Sequence, residues 1–217
     1  MVTSGDVLEH PVTRERIIIR KTAHDTGGEL FQDLYLQPGA FVAAEHIHPL
    51  QEERFEVIAG TLRGRVAGKE FASGPGETVV VPRGAPHVWW NAGDDELHAL
   101  VDLRPALQIE SFFETFFGLA QDGKVNPKTG LPNLFQMALV MRTYPNETIL
   151  ARPPRIVQTL LFGALAPIGR LLGYTGRTRT LMPGRHVLDK RRRFCGGARD
   201  RSLYPHIRHA SLCSPAP

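Results

Sequence analysis

Two histidines and a glutamate form the first cluster in this sequence that has the residue types of a metal site. His46 and His48 lie two residues apart, and Glu53 follows after four intervening residues. On an extended strand, residues i and i+2 project to the same face, so both imidazoles can point at one spot. A carboxylate delivered by the next strand completes three sides of a metal site. This segment therefore supplies half of a candidate metal centre.

A third histidine follows in residues 76–91. Residues 77–81 read as a buried strand, residues 82–84 as a turn, and His87 opens another strand. Three imidazoles and one carboxylate suit one divalent transition metal (Fe, Mn, Ni, Cu or Zn), with open positions left for solvent or substrate. The sequence therefore predicts a metal site with four ligands: His46, His48, Glu53 and His87.

Both segments resemble the two sequence motifs of the cupin superfamily. The first motif contains His-x-His, a glutamate and a closing glycine at spacings that are matched by His46, His48, Glu53 and Gly60. Its opening glycine departs from the pattern, because six residues, instead of five, separate Gly39 from His46. The second motif is matched throughout, at Gly76, Pro82, Gly84, His87 and Asn91. The resemblance covers roughly residues 30–103, is typical of small single-domain bacterial cupins, and implies a β-barrel whose four ligands surround a metal.

Short strands separated by turn residues make up the central part of the chain. The predicted strands cover residues 16–20, 30–36, 41–48, 53–58, 61–68, 77–81, 87–92 and 96–103. So many short strands in succession favour a sandwich or a barrel. Together with the resemblance, they predict a mainly β protein with a single cupin barrel (a double-stranded β-helix, or jelly roll) followed by a small α-helical extension.

We expect four regions along the chain. Residues 1–28 form an N-terminal lead with the first strand, and residues 29–104 form the cupin β-barrel. A helical extension occupies residues 105–173, and a basic, disordered tail occupies residues 174–217.

Four phenylalanines recur at helical spacing at the start of the extension, at positions 112, 113, 116 and 117. We interpret them as a packing surface against the barrel or a second subunit. The uncharged stretch 160–169 is only ten residues long, whereas a bilayer needs about 20 apolar residues, so a transmembrane span is rejected. Two alternatives stay open for the extension: a peripheral membrane contact and a lid over the barrel mouth.

The net charge of +4 conceals two parts of opposite sign. Residues 174–217 contain ten Lys+Arg and two Asp+Glu, giving +8, and residues 1–173 contain 16 and 20, giving −4. The tail has no DNA-binding helix pair, so we expect no specific nucleic-acid binding. Both cysteines lie in this tail, so no disulfide framework is inferred. The N-terminus lacks the apolar stretch of a signal peptide, and we expect a cytoplasmic protein.

Side chains alternate between the two faces of a strand, so counting from the four ligands predicts which residues line a substrate pocket. The residues that share a face with a ligand are Val42, Ala44, Phe55, Val57, Trp89 and Asn91. This mostly apolar pocket suits a small, flat molecule with one hydroxyl or carbonyl on the metal, which acts as a Lewis acid. Glu53 is the candidate catalytic base; Glu52, its competitor as a ligand, lies on the opposite face.

Three functions fit this site. The leading hypothesis is a metal-dependent oxidoreductase of the dioxygenase kind, because the resemblance is to cupins with the complete ligand set. The second is an isomerase, lyase or decarboxylase, which needs the metal but no O2. The third is a non-catalytic protein that binds a small ligand. Fe, Cu, Ni or Mn favours oxygen chemistry, and Zn favours the other two functions.

The sequence also predicts a homodimer. Five apolar residues are assigned to the outer faces of the sheets: Ile17, Ile19, Ile47, Val88 and Trp90. Together they form a patch larger than monomers usually expose, and the helices of the extension carry further apolar surface. The cupin resemblance points the same way, since cupins commonly pair through their sheets.

Overall fold

Two antiparallel sheets form the larger part of the computed structural model, which describes residues 2–177. The first sheet consists of β1 (Val7–His10), β2 (Glu15–Lys21), β3 (Leu30–Leu36), β10 (Leu97–Arg104), β5 (Glu52–Ala59) and β8 (Thr78–Val81), in that spatial order. The second consists of β11 (Ile149–Leu150), β4 (His46–Ile47), β9 (His87–Asn91), β6 (Leu62–Val66) and β7 (Lys69–Ser73). This arrangement, followed by helices, confirms the predicted mainly β fold class.

Alternate residues of the six-stranded sheet point inward and form the core. Leu97, Ala99 and Val101 of β10 are buried in this way, because successive side chains of a strand project to opposite faces. Ile17 and Ile19 of β2 are also buried, with only 4% and 1% of their surface exposed. The expectation that these two residues lie on the outer face is therefore wrong. Three consecutive isoleucines hide the alternation, so the sequence did not reveal which face of β2 points inward.

Two of the predicted strands have different limits in the structure. The predicted strand 41–48 is reduced to β4, and Phe41 makes only an isolated bridge with Trp90. The predicted strand 61–68 ends at Val66, because Ala67 and Gly68 both have positive φ and turn the chain back into β7. A two-residue hairpin turn of this kind requires positive φ at both positions. The sequence analysis did not predict β1, β7 and β11.

The helical extension begins directly after β10. Its helices are α2 (Ile109–Gln121), α3 (Leu134–Thr143) and α4 (Arg155–Leu171); the short α1 (Ala23–Thr26) precedes β3. Helix α3 begins after Asn133, whose side chain accepts hydrogen bonds from the first free backbone N–H groups. The extension also supplies β11, which pairs with β4 and so joins the second sheet. Within the described residues, no helix is long and apolar enough to cross a membrane.

Several sequence predictions concern features beyond this part of the chain. The predicted disordered tail lies, from residue 178 onward, outside the described residues. The homodimer, the cytoplasmic location and the lack of specific nucleic-acid binding stay predictions.

Of the four glycines in the two sequence motifs, Gly60 is the one where an added side chain would meet the strongest steric conflict. Its φ is +82°, and a Cβ atom there would lie 2.8 Å from Leu97 Cα. We expect Gly60→Ala to lower the free energy of unfolding by about 1–2 kcal/mol for the left-handed backbone and about 1–3 kcal/mol more for the clash. Gly68→Ala is the matched control, because φ is +79° but no atom lies within 4 Å. Urea denaturation should show a larger loss for Gly60→Ala; equal losses would contradict the steric argument.

Candidate metal centre

The four predicted ligands come together between the two sheets. His46 of β4 pairs directly with His87 of β9 in the five-stranded sheet. His48 follows just after β4 ends. Glu53 lies on β5 of the opposite sheet, between the paired residues Val81 and Leu103. The carboxylate therefore approaches the three imidazoles from the facing sheet.

The ligand atoms of these residues lie within 4.8 Å of one another. Glu53 Oε2 is 3.2 Å from His87 Nε2 and 3.8 Å from His48 Nε2. His48, Glu53 and His87 are almost completely buried, and His46 is partly buried. Three imidazole nitrogens and one carboxylate oxygen thus surround a single point, as a divalent transition metal requires.

Backbone carbonyl groups orient all three histidines. The Nδ1 atoms of His46 and His87 lie 2.9 Å from the carbonyl oxygens of Ala44 and Ala85. The Nδ1 atom of His48 makes the same contact with the carbonyl oxygen of Glu147. Because a carbonyl oxygen only accepts hydrogen bonds, each Nδ1 carries a hydrogen, and Nε2 is the ring nitrogen left to bind a metal. Such outer contacts fix the ring orientation of metal-binding histidines.

Burial favours the neutral, metal-binding form of two of these histidines. Loss of solvation holds the pKa of His46 well below its ordinary value, and the neighbouring His87 and His48 lower this pKa further. Burial also lowers the pKa of His48, although the nearby charge of Glu53 opposes the shift. A neutral imidazole has a lone pair available for a metal, whereas a protonated one has none.

Two buried atoms of the cluster have no hydrogen-bond partner: Glu53 Oε2 and His87 Nε2. The two atoms face each other across 3.2 Å. Polar atoms that are buried without a partner cost free energy. A cation between them satisfies both atoms. The residues present therefore fit a bound metal.

The cluster opens into a cavity of about 80 Å³. The barrel residues that line it include Val42, Ala44, Phe55 and Trp89 of the predicted pocket. Helix α2 contributes Phe112, Phe113, Phe116 and Phe117, and α3 contributes Met137 and Met141. The phenylalanine cluster of the extension therefore packs against the barrel and covers this cavity. Of the two alternatives left open for the extension, the lid agrees with this arrangement.

Two residues of the predicted pocket lie elsewhere. Val57 is fully buried in the hydrophobic core and does not line the cavity. The Asn91 side chain donates hydrogen bonds to the carbonyl oxygens of Leu36 and Asp95 and accepts one from the backbone N–H of Gly93. Asn91 therefore holds the turn after β9, which explains why an amide is needed at the end of the second motif.

The sequence analysis missed the polar residues that line the rest of the cavity: Glu15, Gln32 and Thr148. Glu15 is buried at the start of β2, and Thr13 Oγ1 donates a 2.7 Å hydrogen bond to its carboxylate. Burial raises the pKa of Glu15 to about 7; the Thr13 hydrogen bond lowers this pKa, and the charge of Glu53 raises it. No local signal marked Glu15, because the three consecutive isoleucines hide which face of β2 points inward.

Two antiparallel sheets with a three-histidine, one-carboxylate cluster between them define a β protein with a candidate metal centre. Residues 33–101 match the protein-family model described as "Cupin domain". This part of the chain is a cupin domain, and the resemblance found from the sequence motifs is confirmed. No curated protein matches the sequence significantly.

Several solved structures are similar to part of this chain. A cupin domain from Schizosaccharomyces pombe has 12% identity and a TM-score of 0.39, over 45% of this chain and 66% of that chain. A sugar phosphate isomerase from Silicibacter pomeroyi has 24% identity and a TM-score of 0.37, over 41% and 58%. A predicted oxalate decarboxylase from Thermotoga maritima has 18% identity and a TM-score of 0.42, over 48% and 97%. The matched part of this chain thus spans less than two thirds of the length of the first two proteins.

Proposed function

We propose that this protein is a metal-dependent oxidoreductase of the dioxygenase kind, acting on a small, partly apolar molecule that bears a hydroxyl or carbonyl group. The observation that carries the proposal is the cluster of three imidazoles and one carboxylate beside a mostly apolar cavity, which His46, His48 and Glu53 line. One divalent transition metal (Fe, Mn, Ni, Cu or Zn) would be held by His46, His48, Glu53 and His87. When bound, this metal supplies Lewis acidity and, if it is redox-active, electron transfer with oxygen.

The cavity lining supports an apolar, uncharged substrate. Among the described residues that line it there is no Lys or Arg, the side chains that usually bind phosphate or carboxylate groups. Most of the wall consists of aromatic and aliphatic side chains. Two wall atoms, Gln32 Oε1 and Trp89 Nε1, are buried without a hydrogen-bond partner. The first can accept from a substrate hydroxyl, and the second can donate to a carbonyl or hydroxyl oxygen.

The chain's own residues perform the steps around the metal. Glu53 is the candidate catalytic base once it loosens its bond to the metal, because its carboxyl group lines the cavity beside the cluster. Phe55 and Trp89 hold a flat substrate from the barrel side, and the α2 phenylalanines hold it from the lid side. This closed apolar wall also excludes bulk water, which protects reactive intermediates from hydrolysis.

An isomerase, lyase or decarboxylase is the second candidate, and Glu15 is the observation that favours it. This carboxyl lines the same cavity as Glu53, and its pKa of about 7 lets it hold or release a proton near neutral pH. Two carboxyl groups that line one cavity can divide the roles of acid and base in a proton-transfer reaction. Such a reaction needs no oxygen.

Metal analysis followed by an oxygen-uptake screen separates these candidates. We expect the freshly purified protein to contain Fe, Mn, Ni or Cu and to consume oxygen with at least one member of a panel of phenols and diketones. The His46→Ala, His48→Ala double variant is the matched control and should consume none. Turnover that proceeds equally well without oxygen would replace the proposal by the second candidate. Binding without turnover, with or without oxygen, would leave a non-catalytic ligand-binding protein.

A further inference from the structure

The outer face of α4 carries six of the large hydrophobic side chains that are exposed among the described residues. On its inner side the helix buries Gln158, Phe162, Ala166 and Gly169, and it packs against α3. The outer face, as the term is used below, consists of Ile156, Val157, Leu160, Leu161, Ile168 and Leu171. Leu160 and Leu171 have 70% and 88% of their surface exposed. Nothing in the described part of the chain covers these side chains.

The outer face is contiguous. With 3.6 residues per turn, its six side chains fall within an arc of roughly 140°. Thr159 and Arg170 fall between this arc and the side that packs on α3, and Arg155, in the first turn, falls on the α3 side. Scattered exposed leucines are common on proteins, but a helix that is apolar on nearly all sides is normally buried. A continuous apolar patch of this kind marks an interaction surface.

The charge around α4 identifies the partner. From residue 148 to residue 188 the sequence contains no Asp or Glu. Arg152 and Arg155 lie at the start of the helix, and Arg170 and Arg177 lie at and after its end. A second copy bound face to face through a twofold axis brings the same arginines together without an acidic partner. An anionic lipid surface supplies both acyl chains for the apolar arc and negative headgroups for the arginines.

We propose that α4 docks this protein on an anionic membrane surface. The helix lies in the plane of the bilayer, with its outer face at the boundary between headgroups and acyl chains and its flanking arginines among the headgroups. On its other side α4 packs against α3, whose Met137 and Met141 line the cavity. The docked helix is thus separated from the candidate metal centre by one layer of the lid.

Vesicle co-sedimentation of the full chain tests this proposal. The probes are vesicles of phosphatidylcholine alone and of phosphatidylcholine mixed with phosphatidylglycerol. We expect the chain to bind the anionic vesicles at least tenfold more tightly, and Leu160→Glu, Leu171→Glu to weaken that binding at least tenfold. The matched control is Ile58→Glu, Val80→Glu, which makes the same charge change at two exposed positions of the sheet. It should bind within twofold of the original chain.

Three results would overturn the proposal. If the original chain does not bind anionic vesicles, α4 is not a membrane-docking helix. If the Leu160→Glu, Leu171→Glu variant binds as tightly as the original chain, the basic residues alone account for the binding. If light scattering shows a dimer that this variant dissolves, while vesicles bind neither protein, the outer face is an interface between two copies. Circular dichroism of each variant confirms that it is folded.

Discussion

The His46→Ala, His48→Ala double variant is expected to lose most of its bound metal. The original chain should contain about one transition metal ion, and the variant roughly a tenth of that or less. The two substitutions leave only Glu53 and His87 as ligands at the cluster. Removing a hydrogen-bond partner of a ligand already lowers metal affinity by about 10–100-fold, so removing two direct ligands has a larger effect. Elemental analysis of the purified protein measures the change.

His24→Ala is the matched control for metal loss. The His24 side chain is 99% exposed and far from the cluster in the sequence, so its removal should leave the metal content unchanged. Circular dichroism should show that the double variant keeps its β structure, because the hydrophobic core does not include either histidine. If the double variant holds as much metal as the original chain, these histidines are not the ligands.

The ligand set could be predicted from the sequence because it depends on local geometry. His46 and His48 are two residues apart, and a strand directs such residues to one side. The pairing of β4 with β9, which sets His46 beside His87, was implied by the order and spacing of the two motifs. Gly39, whose spacing departs from the motif, still has a φ of +71° and makes the expected turn. The correct part of the site prediction therefore came mainly from residues that lie close together in the sequence.

The structure added contacts between residues that are far apart in the chain. The carbonyl group of Glu147 orients His48 from 99 residues away, and β11 extends the sheet beside β4. No local pattern marks a backbone carbonyl as the partner of a particular histidine. The pocket prediction had the same limit: residues 42–44 all line the cavity without strand alternation, because β4 begins only at His46.

Glu15 shows the same limit, because neither its inward direction nor its surroundings could be predicted from the sequence. The carboxyl group is buried among the residues that line the cavity, and the Thr13 hydroxyl donates a hydrogen bond to it. Because burial raises its pKa from 4.5 to about 7, folding favours the protonated form. A pKa raised in the folded state stabilises the protein fully below the unfolded pKa, and this stabilisation is lost as the pH rises through the folded pKa. The contribution of Glu15 to the free energy of unfolding therefore falls as the pH rises from 4.5 to about 7, and it stays at the lower value above pH 7.

Glu15→Gln is expected to remove this pH dependence. Glutamine resembles the protonated carboxyl, its Oε1 atom can accept the Thr13 hydrogen bond, and it cannot ionise. At pH 8 the variant should exceed the original chain in free energy of unfolding by about 3 kcal/mol, whereas at pH 4 the two should be nearly equal. Thermal melts across this pH range measure the difference. Glu70→Gln, at an exposed position of β7, is the control and should change stability little at any pH. If Glu15→Gln is no more stable than the original chain at pH 8, the folded protein tolerates the ionised carboxylate, and Glu15 cannot hold a proton near neutral pH.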